Sequence, residues 1–379
     1  MNTAESKQIL LFSNTAWSLY KFRKKLISGL ISQGYHVTLL ACPDEYVDRL
    51  TELGACFIPV KNLSQKGKSP FRDYLLLTEI KKIFKKVKPA IVFLYTIKPN
   101  IYGNIAAKRL GIKCVSVITG LGYTFLNDNL TSTVAKLLYK RYLNLAEEIW
   151  FLNNEDKKLF VDQKLIPSEK AFLLPGEGID CNEFTPVKTS ASESANGNVS
   201  FALIARLLKD KGVVEYVDAA RLVKKKKPFV QFNIIGFLNA KNPSAIEKAD
   251  LDEWVNEGTV NYLGAVDDVR PEILKNDCIV LPSYREGMSM ILMEAAALER
   301  AIITTNIPGC REIVDHGKTG FLCNVKDVAD LAEKMEIFLD LSKQQQGMMG
   351  SLARQKIVNE FDVEKIIKIY IDKIESITN

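Results

Sequence analysis

The chain has 379 residues, 47% of them hydrophobic and 25% charged, which is the composition of a soluble protein and a length that suits two domains. No stretch approaches the roughly 18 consecutive apolar residues of a membrane span, and the first apolar run is too short for a signal peptide. The seven cysteines lack the spacing of a zinc site or a disulfide framework. These features predict a reduced protein that is kept in the cytoplasm.

The net charge of +6 is distributed unevenly along the chain. Up to position 190 there are 27 Lys and Arg against 17 Asp and Glu, whereas the remainder has 24 against 28. A basic first half and an acidic second half indicate that the first half meets something anionic, either nucleic acid or a membrane surface.

The first half alternates short apolar runs with helical segments. In chain order the runs are QILLFS, HVTLLAC, CFIPV, AIVFLY, CVSVIT, EIWFL and AFLLP. Continuous apolar strands separated by helices are typical of a parallel, doubly wound sheet. The sequence therefore predicts an α/β fold.

A second alternation follows a break in the pattern. Small polar residues with Pro and Gly over 185–198 predict a linker, and the runs after it are VSFALIA, VQFNIIG, VNYLG, CIVLPS, AIITTN and GFLCN. We therefore predict an N-terminal domain over 1–184, a C-terminal domain over 199–358, and an amphipathic helix over 359–379 that packs back on the first domain.

Two glutamates mark the stretch SYREGMSMILMEAAAL in the second half. Glu286 precedes a predicted helix that begins near Ser289, and Glu294 lies within that helix. In open α/β sheets, ligands bind beyond the carboxyl ends of strands, where helix amides attract anions. We therefore expect the amides of Met290 and Ile291 to meet a phosphate, Glu286 to be exposed towards a polyol, and Glu294 to be buried against ribose hydroxyls.

Alternative roles for the two glutamates are weaker. Eight helical residues span about 12 Å, which exceeds the ~5–9.5 Å between the carboxylates of glycoside hydrolases. The alternative that stays open is one surface glutamate and one structural buried glutamate.

A pair of cations follows another predicted strand of the same half. In FALIARLLKDKG, Arg206 and Lys211 lie on the loop between the strand and a helix that Gly212 opens. Two cations beyond a strand end suit a diphosphate, although lysine and arginine in loops are usually solvated.

These stretches resemble the retaining glycosyltransferases of family 4. The likeness rests on ARLLKDKG, on two glutamates with seven residues between them, and on IPGCREIV in the family's order, and it covers nearly the whole chain. It implies the GT-B fold, in which two Rossmann-like domains face each other and the last helix crosses back to the first domain.

The resemblance also implies a role for each motif residue. The catalytic set would be Glu286, which contacts hydroxyls of the donor sugar, with Arg206 and Lys211 at the donor diphosphate. The donor-binding set would be Glu294 at the ribose, Val266 beside the base, the amides of Met290 and Ile291 at the phosphate, and Gly287 and Gly120.

Two positions depart from the family pattern. Gly120 stands where many members have a histidine that touches the donor sugar, so that role would pass to the backbone or to another residue. Ser289 stands where a proline is usual, and serine is a good N-cap, so the helix start is expected to survive.

The first half narrows the resemblance to bacterial enzymes that extend lipid-diphosphate-linked oligosaccharides. The segments concerned are WSLYKFRKKLISGLISQGYHV, YTIKPNIYGNIAAKRLGI and VITGLGYTF. Such enzymes serve capsule, O-antigen or protein-glycosylation pathways. The implied reaction moves a hexose or N-acetylhexosamine from a nucleotide sugar, expected to be UDP-linked, to a polyprenyl-diphosphate-linked saccharide.

No metal or other cofactor is expected for this reaction. In the front-face mechanism usually proposed for the family, the leaving diphosphate accepts the acceptor's proton, so the protein supplies electrostatic stabilisation. The one Asp-x-Asp sequence, Asp250-Leu251-Asp252, lies in a polar helical segment and is interpreted as a solvated helix face.

The basic charge of the first half is concentrated over 71–89. This segment, FRDYLLLTEIKKIFKKVKP, is typical of a basic amphipathic helix that could dock on the cytoplasmic face of the membrane or pack its apolar side on the core. Lys98, Arg23 and Asn100 are the candidates for the acceptor diphosphate. Nucleic acid is rejected because no recognition motif accompanies the charge.

Two other functions remain open at this point. One is a UDP-N-acetylglucosamine 2-epimerase, although the chain has only two histidines for acid–base work. The other is a non-catalytic subunit that binds a nucleotide sugar and scaffolds an assembly complex.

Overall fold

The computed structural model describes residues 7–63, 69–121, 130–187, 199–238 and 242–378, without the side chains of 130–135. Contacts divide the chain into unit 1, Met1–Gly178 with Val363–Asn379, and unit 2, Ile179–Asp362. The linker predicted over 185–198 therefore lies within unit 2, and its residues 188–198 fall outside the described residues. The chain changes units at Gly178, before the predicted linker begins.

Unit 1 is built on a parallel sheet. Its strands are Gln8–Thr15 (β1), His36–Cys42 (β2), Cys56–Pro59 (β3), Ile91–Tyr95 (β4), Lys113–Ile118 (β5), Glu148–Phe151 (β6) and Ala171–Leu173 (β7). Their order is β3-β2-β1-β4-β5-β6-β7, and each neighbouring pair is parallel. All residues of β4 are buried, as expected for an inner strand that is covered on both faces.

Helices connect these strands. They are Ala16–Ser32 (α1), Val47–Glu52 (α2), Pro70–Val87 (α3), Asn104–Leu110 (α4), Leu130–Tyr142 (α5) and Asn154–Asp162 (α6). Local chemistry sets their starts: the Thr15 hydroxyl accepts from the Ser18 N–H at 3.1 Å ahead of α1, and Pro70 opens α3 after the N-cap Ser69. A π-helical turn, Pro99–Gly103, precedes α4.

Unit 2 repeats the architecture. Its strands are Ser200–Ile204 (β8), Gln231–Ile235 (β9), Asn261–Tyr262 (β10), Cys278–Leu281 (β11), Ala301–Thr305 (β12) and Gly320–Cys323 (β13). Their order is β10-β9-β8-β11-β12-β13, again parallel. The helices are Val213–Lys226 (α7), Lys248–Asn256 (α8), Arg270–Lys275 (α9), Met290–Ala297 (α10), Val328–Asp340 (α11) and Lys343–Glu360 (α12).

Side chains of β8 show how the sheet of unit 2 is covered. Phe201 and Leu203 belong to the apolar cluster on one face, and Ala202 and Ile204 belong to the cluster on the other. Both faces of the sheet are therefore buried, which explains why the strands form continuous apolar runs. Within the described ranges, no helix is both long and apolar enough to cross a membrane.

The last helix, Val363–Thr378 (α13), returns to unit 1 and completes its core. Its Tyr370 ring lies 4.6 Å from the ring of Phe93 and 4.9 Å from that of Trp150. The hydroxyl groups of Tyr370 and Tyr95 are 2.9 Å apart. Residues 275 positions apart in the sequence thus share one aromatic cluster.

A buried ion pair adjoins this cluster. Arg23 on α1 donates to the carboxylate of Glu177, and the two side chains are only 3% and 7% exposed. The Arg23 guanidinium also lies 3.7 Å from the centre of the Tyr95 ring. Burial opposes the charge of Arg23, but the adjacent Glu177 carboxylate leaves its pKa raised. The pair therefore satisfies two charges that neither partner could carry alone in the interior.

We predict that each residue of this pair destabilises the protein when the other is removed. Glu177→Leu or Arg23→Leu should each lower the free energy of unfolding by about 3–5 kcal/mol, because each leaves one buried charge uncompensated. The double variant should lose much less free energy of unfolding than the two single variants lose in total. Urea unfolding followed by tryptophan fluorescence measures the cycle, and additive losses would show that the pair is not coupled.

Candidate functional site

The two motif segments of unit 2 follow neighbouring strands. Arg206 and Lys211 come after β8, Glu286 comes after β11, and these strands pair in parallel. The strand order reverses here, because β9 and β10 lie on one side of β8 and β11 lies on the other. Such a switch point leaves a crevice beyond the carboxyl ends of the strands, where ligands of open α/β sheets usually bind.

A lysine–glutamate ion pair joins the two loops. The Lys211 Nζ lies 2.5 Å from the Glu286 Oε1. The same oxygen accepts a hydrogen bond from the Ser283 hydroxyl at 2.8 Å. The side chains of Lys211 and Glu286 are 21% and 12% exposed, so the pair is partly shielded from water and is held in a fixed geometry.

The backbones of the two loops are also in direct contact. Gly212 has φ of +71°, and a Cβ built on it would lie 2.1 Å from the carbonyl oxygen of Pro282. The Tyr284 N–H donates to the Asp210 carbonyl at 2.9 Å. A side chain at position 212 would therefore separate the loops that carry Lys211 and Glu286.

The Tyr284 side chain fastens the second loop to helix α7. Its hydroxyl donates to the Glu215 Oε1 at 2.6 Å. Burial and the Glu215 carboxylate raise the pKa of Tyr284, so the hydroxyl stays protonated and remains a donor at neutral pH.

Helix α10 begins immediately beyond this loop. Ser289 occupies the N-cap position, as predicted, but its side chain makes no capping hydrogen bond. Its N–H instead donates to the Gly309 carbonyl at 2.9 Å. The amides of Met290 and Ile291 lie in the first turn, where no intrahelical carbonyl can accept from them, so the helix start can bind an anion.

A third loop supports the start of α10. Gly309 has φ of +80°, and a Cβ there would lie 2.7 Å from the Gly287 carbonyl oxygen. The Gly309 N–H donates to the Glu312 carboxylate at 2.7 Å. The IPGC stretch therefore fixes the Glu286-Gly287 turn through backbone contacts.

The exposures of the two glutamates differ from those we expected. Glu286, expected to be exposed on its loop, is largely buried because Lys211 and Ser283 hold its carboxylate. Glu294, expected to be buried, is half-buried on α10. The apolar run around Glu294 does bury its neighbours Met293 and Ala295, but it does not enclose the glutamate itself.

The other donor candidates are distributed over both units. Arg206 is exposed, and its guanidinium makes no ion pair with any residue that the structure describes. Val266, Met290 and Ile291 all pack against the apolar cluster beneath α10. Gly120 belongs to unit 1, where it follows β5 with φ of +140°.

The structure does not bring the three acceptor candidates together at the surface. Arg23 is 3% exposed in the ion pair with Glu177, and Asn100 is fully buried and donates to the Val117 carbonyl at 3.3 Å. Both side chains serve the interior of unit 1, and we drop them as diphosphate ligands. Lys98 is partly accessible and pairs with Asp73 at 2.9 Å.

The Asp-x-Asp sequence lies on α8. Asp252 is exposed and pairs with Lys248 one turn away at 2.5 Å, as in an ordinary solvated helix. Across the described ranges, no three His, Cys, Asp or Glu side chains are grouped as metal ligands.

Four residues of the site were not predicted from the sequence. Ser283 orients Glu286, Tyr284 and Asp210 connect the loops, and Gly309 supports α10. The Ser-x-x-Glu spacing is a known local hydrogen-bonding pattern and could have identified Ser283. The contact between Asp210 and Tyr284 crosses between strands and leaves no local signal.

Known families match both halves of the chain. The family described as Glycosyl transferases group 1 matches residues 199–340, and the family described as Glycosyl transferase 4-like matches residues 8–153. The first match contains Arg206, Lys211, Glu286 and Glu294, so it spans the site described above.

Similar proteins act on lipid-linked sugars according to their names. The N,N'-diacetylbacillosaminyl-diphospho-undecaprenol alpha-1,3-N-acetylgalactosaminyltransferase of Campylobacter jejuni is 28% identical, over 96% of this chain and 98% of that protein. The UDP-Gal:alpha-D-GlcNAc-diphosphoundecaprenol alpha-1,3-galactosyltransferase of Escherichia coli is 29% identical, over 87% of this chain and 86% of that protein.

Solved structures share the fold. A glycosyltransferase from Rickettsia africae superposes with a TM-score of 0.80 at 18% identity, over 98% of this chain and 99% of that one. Anabaena Alr3699/HepE in complex with UDP-glucose superposes with a TM-score of 0.79 at 17% identity, over 97% of this chain and 99% of that one.

Gly212 and Gly258 offer a matched test of the loop contact. Both have left-handed φ, +71° and +69°, but a Cβ at Gly258 would meet nothing within 4 Å. Gly258→Ala should cost only the backbone penalty of about 1 kcal/mol. Gly212→Ala should cost at least about 2 kcal/mol more, because the methyl group must displace Pro282. Thermal unfolding measures the difference in stability between the two variants, and equal losses of stability would refute the close contact.

Proposed function

Because the chain belongs to the group 1 glycosyltransferases and has the GT-B fold, we propose that it transfers a hexose or N-acetylhexosamine from a UDP-sugar to a polyprenyl-diphosphate-linked saccharide, with retention of configuration. The chain is a glycosyltransferase, which sets aside the epimerase and scaffold alternatives. We place the reaction in the assembly of a capsule or another lipid-linked polysaccharide, as the names of its relatives suggest.

The Lys211–Glu286 pair is the observation that carries the proposal. It sits at the switch point of unit 2, between a loop with a second cation, Arg206, and the start of α10. A sugar diphosphate has one anionic end and one neutral end rich in hydroxyl groups. The site offers cations and helix amides for the first and a fixed carboxylate for the second.

In the proposed reaction, the protein stabilises the leaving group. The bond between the anomeric carbon and the diphosphate oxygen breaks, and its electron pair stays on the diphosphate. The acceptor hydroxyl forms the new bond on the same face of the sugar, and its proton passes to the departing diphosphate oxygen. Lys211, Arg206 and the amides of Met290 and Ile291 would counter the negative charge that develops there.

The carboxylate of Glu286 would position the donor sugar. Its Oε1 is occupied by Lys211 and Ser283, while its Oε2 takes no hydrogen bond from any residue in the described part of the chain. That oxygen could accept from a sugar hydroxyl. Glu294 on α10 would accept from the ribose of the nucleotide in the same way, with Val266 beside the base.

Relatives support the choice of donor and acceptor. One relative is named for UDP-galactose and a diphosphoundecaprenol acceptor, and the Anabaena structure contains UDP-glucose. The proposed reaction requires no metal, because Arg206, Lys211 and the helix amides would counter the charge of the diphosphate.

The structure leaves only one face of the basic segment 71–89 able to contact a membrane surface. The apolar residues Leu76, Ile80 and Phe84 of α3 are fully buried in unit 1, so this face is not available to lipid. The exposed face carries Lys82, Lys85 and Lys86. We therefore propose peripheral docking on the inner membrane surface by charge, at about 1 kcal/mol for each lysine near anionic lipid.

Neighbouring lysines test the catalytic role. Lys211→Met should reduce kcat/KM for transfer from the UDP-sugar by about 100-fold or more, because a cation at the leaving group is lost. Lys209→Met is the matched control, since Lys209 is an exposed lysine on the same turn and should stay within about twofold.

The transfer assay uses UDP-galactose, UDP-N-acetylgalactosamine and UDP-N-acetylglucosamine with an undecaprenyl-diphosphate-linked saccharide. NMR of the product should show the α-anomer of the donor retained. A β-linked product would contradict retention, and equal losses in the two variants would contradict the role of Lys211.

Nucleotide binding is expected to be selective and to depend on Glu294. UDP at 100 times its dissociation constant should stabilise the fold by about 2.7 kcal/mol and raise the melting temperature. GDP, ADP and dTDP should give smaller rises, and Glu294→Gln should lose most of the UDP effect. No rise with any nucleotide, from protein that melts cooperatively, would remove the support for a nucleotide-sugar donor.

A further inference from the structure

A large open cavity lies in unit 1, and none of the residues proposed to bind the donor line it. It has a volume of about 790 Å³ and is bounded by α3, α4 and the end of α5. Leu77, Ile105 and Leu145 contribute apolar surface to its wall. This volume lies in the range of cavities that hold small molecules.

Aromatic residues continue the apolar lining. Tyr74, Tyr102 and Tyr142 all line the cavity. Tyr74 is 66% exposed, so a large apolar ring stands in water at the cavity edge. Rings with a polar end are favoured where one side of a ligand is apolar and the other is wet.

Three cations also line the cavity. Lys108 and Arg109 stand at the end of α4, and Arg141 stands at the end of α5. Cations are common at helix carboxyl ends for local reasons. Here, however, two helix ends bring three of them to one cavity, and none forms an ion pair with a described residue.

The single carboxylate in the lining does not neutralise these cations. Asp73 already pairs with Lys98 at 2.9 Å, and both side chains are about four-fifths buried. Asp73 also raises the pKa of Tyr102, after burial itself, by accepting its hydrogen bond. The cavity therefore combines apolar walls with three cations that pair with no described carboxylate.

We propose that this cavity binds the prenyl diphosphate portion of the lipid-linked acceptor. The apolar and aromatic walls would take the first prenyl units, and the three cations would take the diphosphate. This inference rests on the proposed function, whose acceptor it locates. It also assigns the acceptor diphosphate to accessible residues instead of Arg23 and Asn100, which are buried.

Farnesyl diphosphate serves as a soluble probe of the site. Calorimetric titration of the full-length protein should show binding, and Lys108→Ala/Arg109→Ala should weaken it at least tenfold. Tyr74→Ala should weaken it several-fold, and this exposed position carries little risk to folding. Lys157→Ala/Lys158→Ala removes a basic pair of the same unit outside the cavity, and should change the affinity by less than twofold.

Testing the two parts of farnesyl diphosphate separately distinguishes the contribution of charge to binding from that of apolar contact. Farnesol and inorganic pyrophosphate should each bind at least tenfold more weakly than farnesyl diphosphate. Pyrophosphate binding as tightly as farnesyl diphosphate would overturn the proposal, since the walls would contribute nothing. An equal loss in the Lys157/Lys158 control would also overturn it, because the attraction would then be diffuse.

Two further arms distinguish this cavity from a membrane-headgroup surface and from the donor site. Vesicles of phosphatidylglycerol that bind the protein through the same cavity residues, without competition from farnesyl diphosphate, would assign the surface to membrane headgroups and reject the proposal. Stabilisation by UDP is measured on the same samples. Intact UDP binding without farnesyl diphosphate binding would reject the cavity alone, whereas the reverse result would reject the donor assignment and leave the cavity standing.

Discussion

The proposed donor site depends on one ion pair between two loops. Lys211 follows β8, Glu286 follows β11, and 2.5 Å separates their charged atoms. Because the strands are neighbours at the switch point of the sheet, a short reach suffices to join loops that are 75 residues apart in sequence. Gly212 makes this possible, since any larger residue would collide with Pro282. The pair, the glycine and the strand order therefore form one constraint rather than three separate features.

This constraint also explains how two charged groups can be stable where they are largely shielded from water. A lysine and a carboxylate that are largely shielded from water would be costly singly, but together they offset each other and hold a single geometry. In the proposed reaction, a diphosphate would share the lysine without large rearrangement, because the surrounding dipoles are already oriented. Unit 1 solves a similar problem differently: Arg23 and Glu177 are buried beyond the reach of a ligand, so there the pair serves structure alone.

Much of the fold was predictable, whereas the details of the site were not. Fully buried parallel strands such as β4 and β8 give continuous apolar runs, so the α/β alternation was evident directly. The exposure of Glu286 was predicted wrongly, because it depends on Lys211 in another loop. The basic segment 71–89 was ambiguous, since an apolar stripe has the same spacing whether it meets lipid or a core. Arg23 was misassigned because its partner lies 154 positions away.

The position of α13 has a consequence for synthesis on the ribosome. Unit 1 contains the first 178 residues of the chain, but its aromatic cluster needs Tyr370, which is translated after all of unit 2. Unit 2 is contiguous in sequence and can complete its core first. The nascent chain would therefore expose an unfilled apolar surface around Phe93 and Trp150 until translation is nearly finished. A chaperone that shields this surface would act on the half of the protein that is made first and finished last.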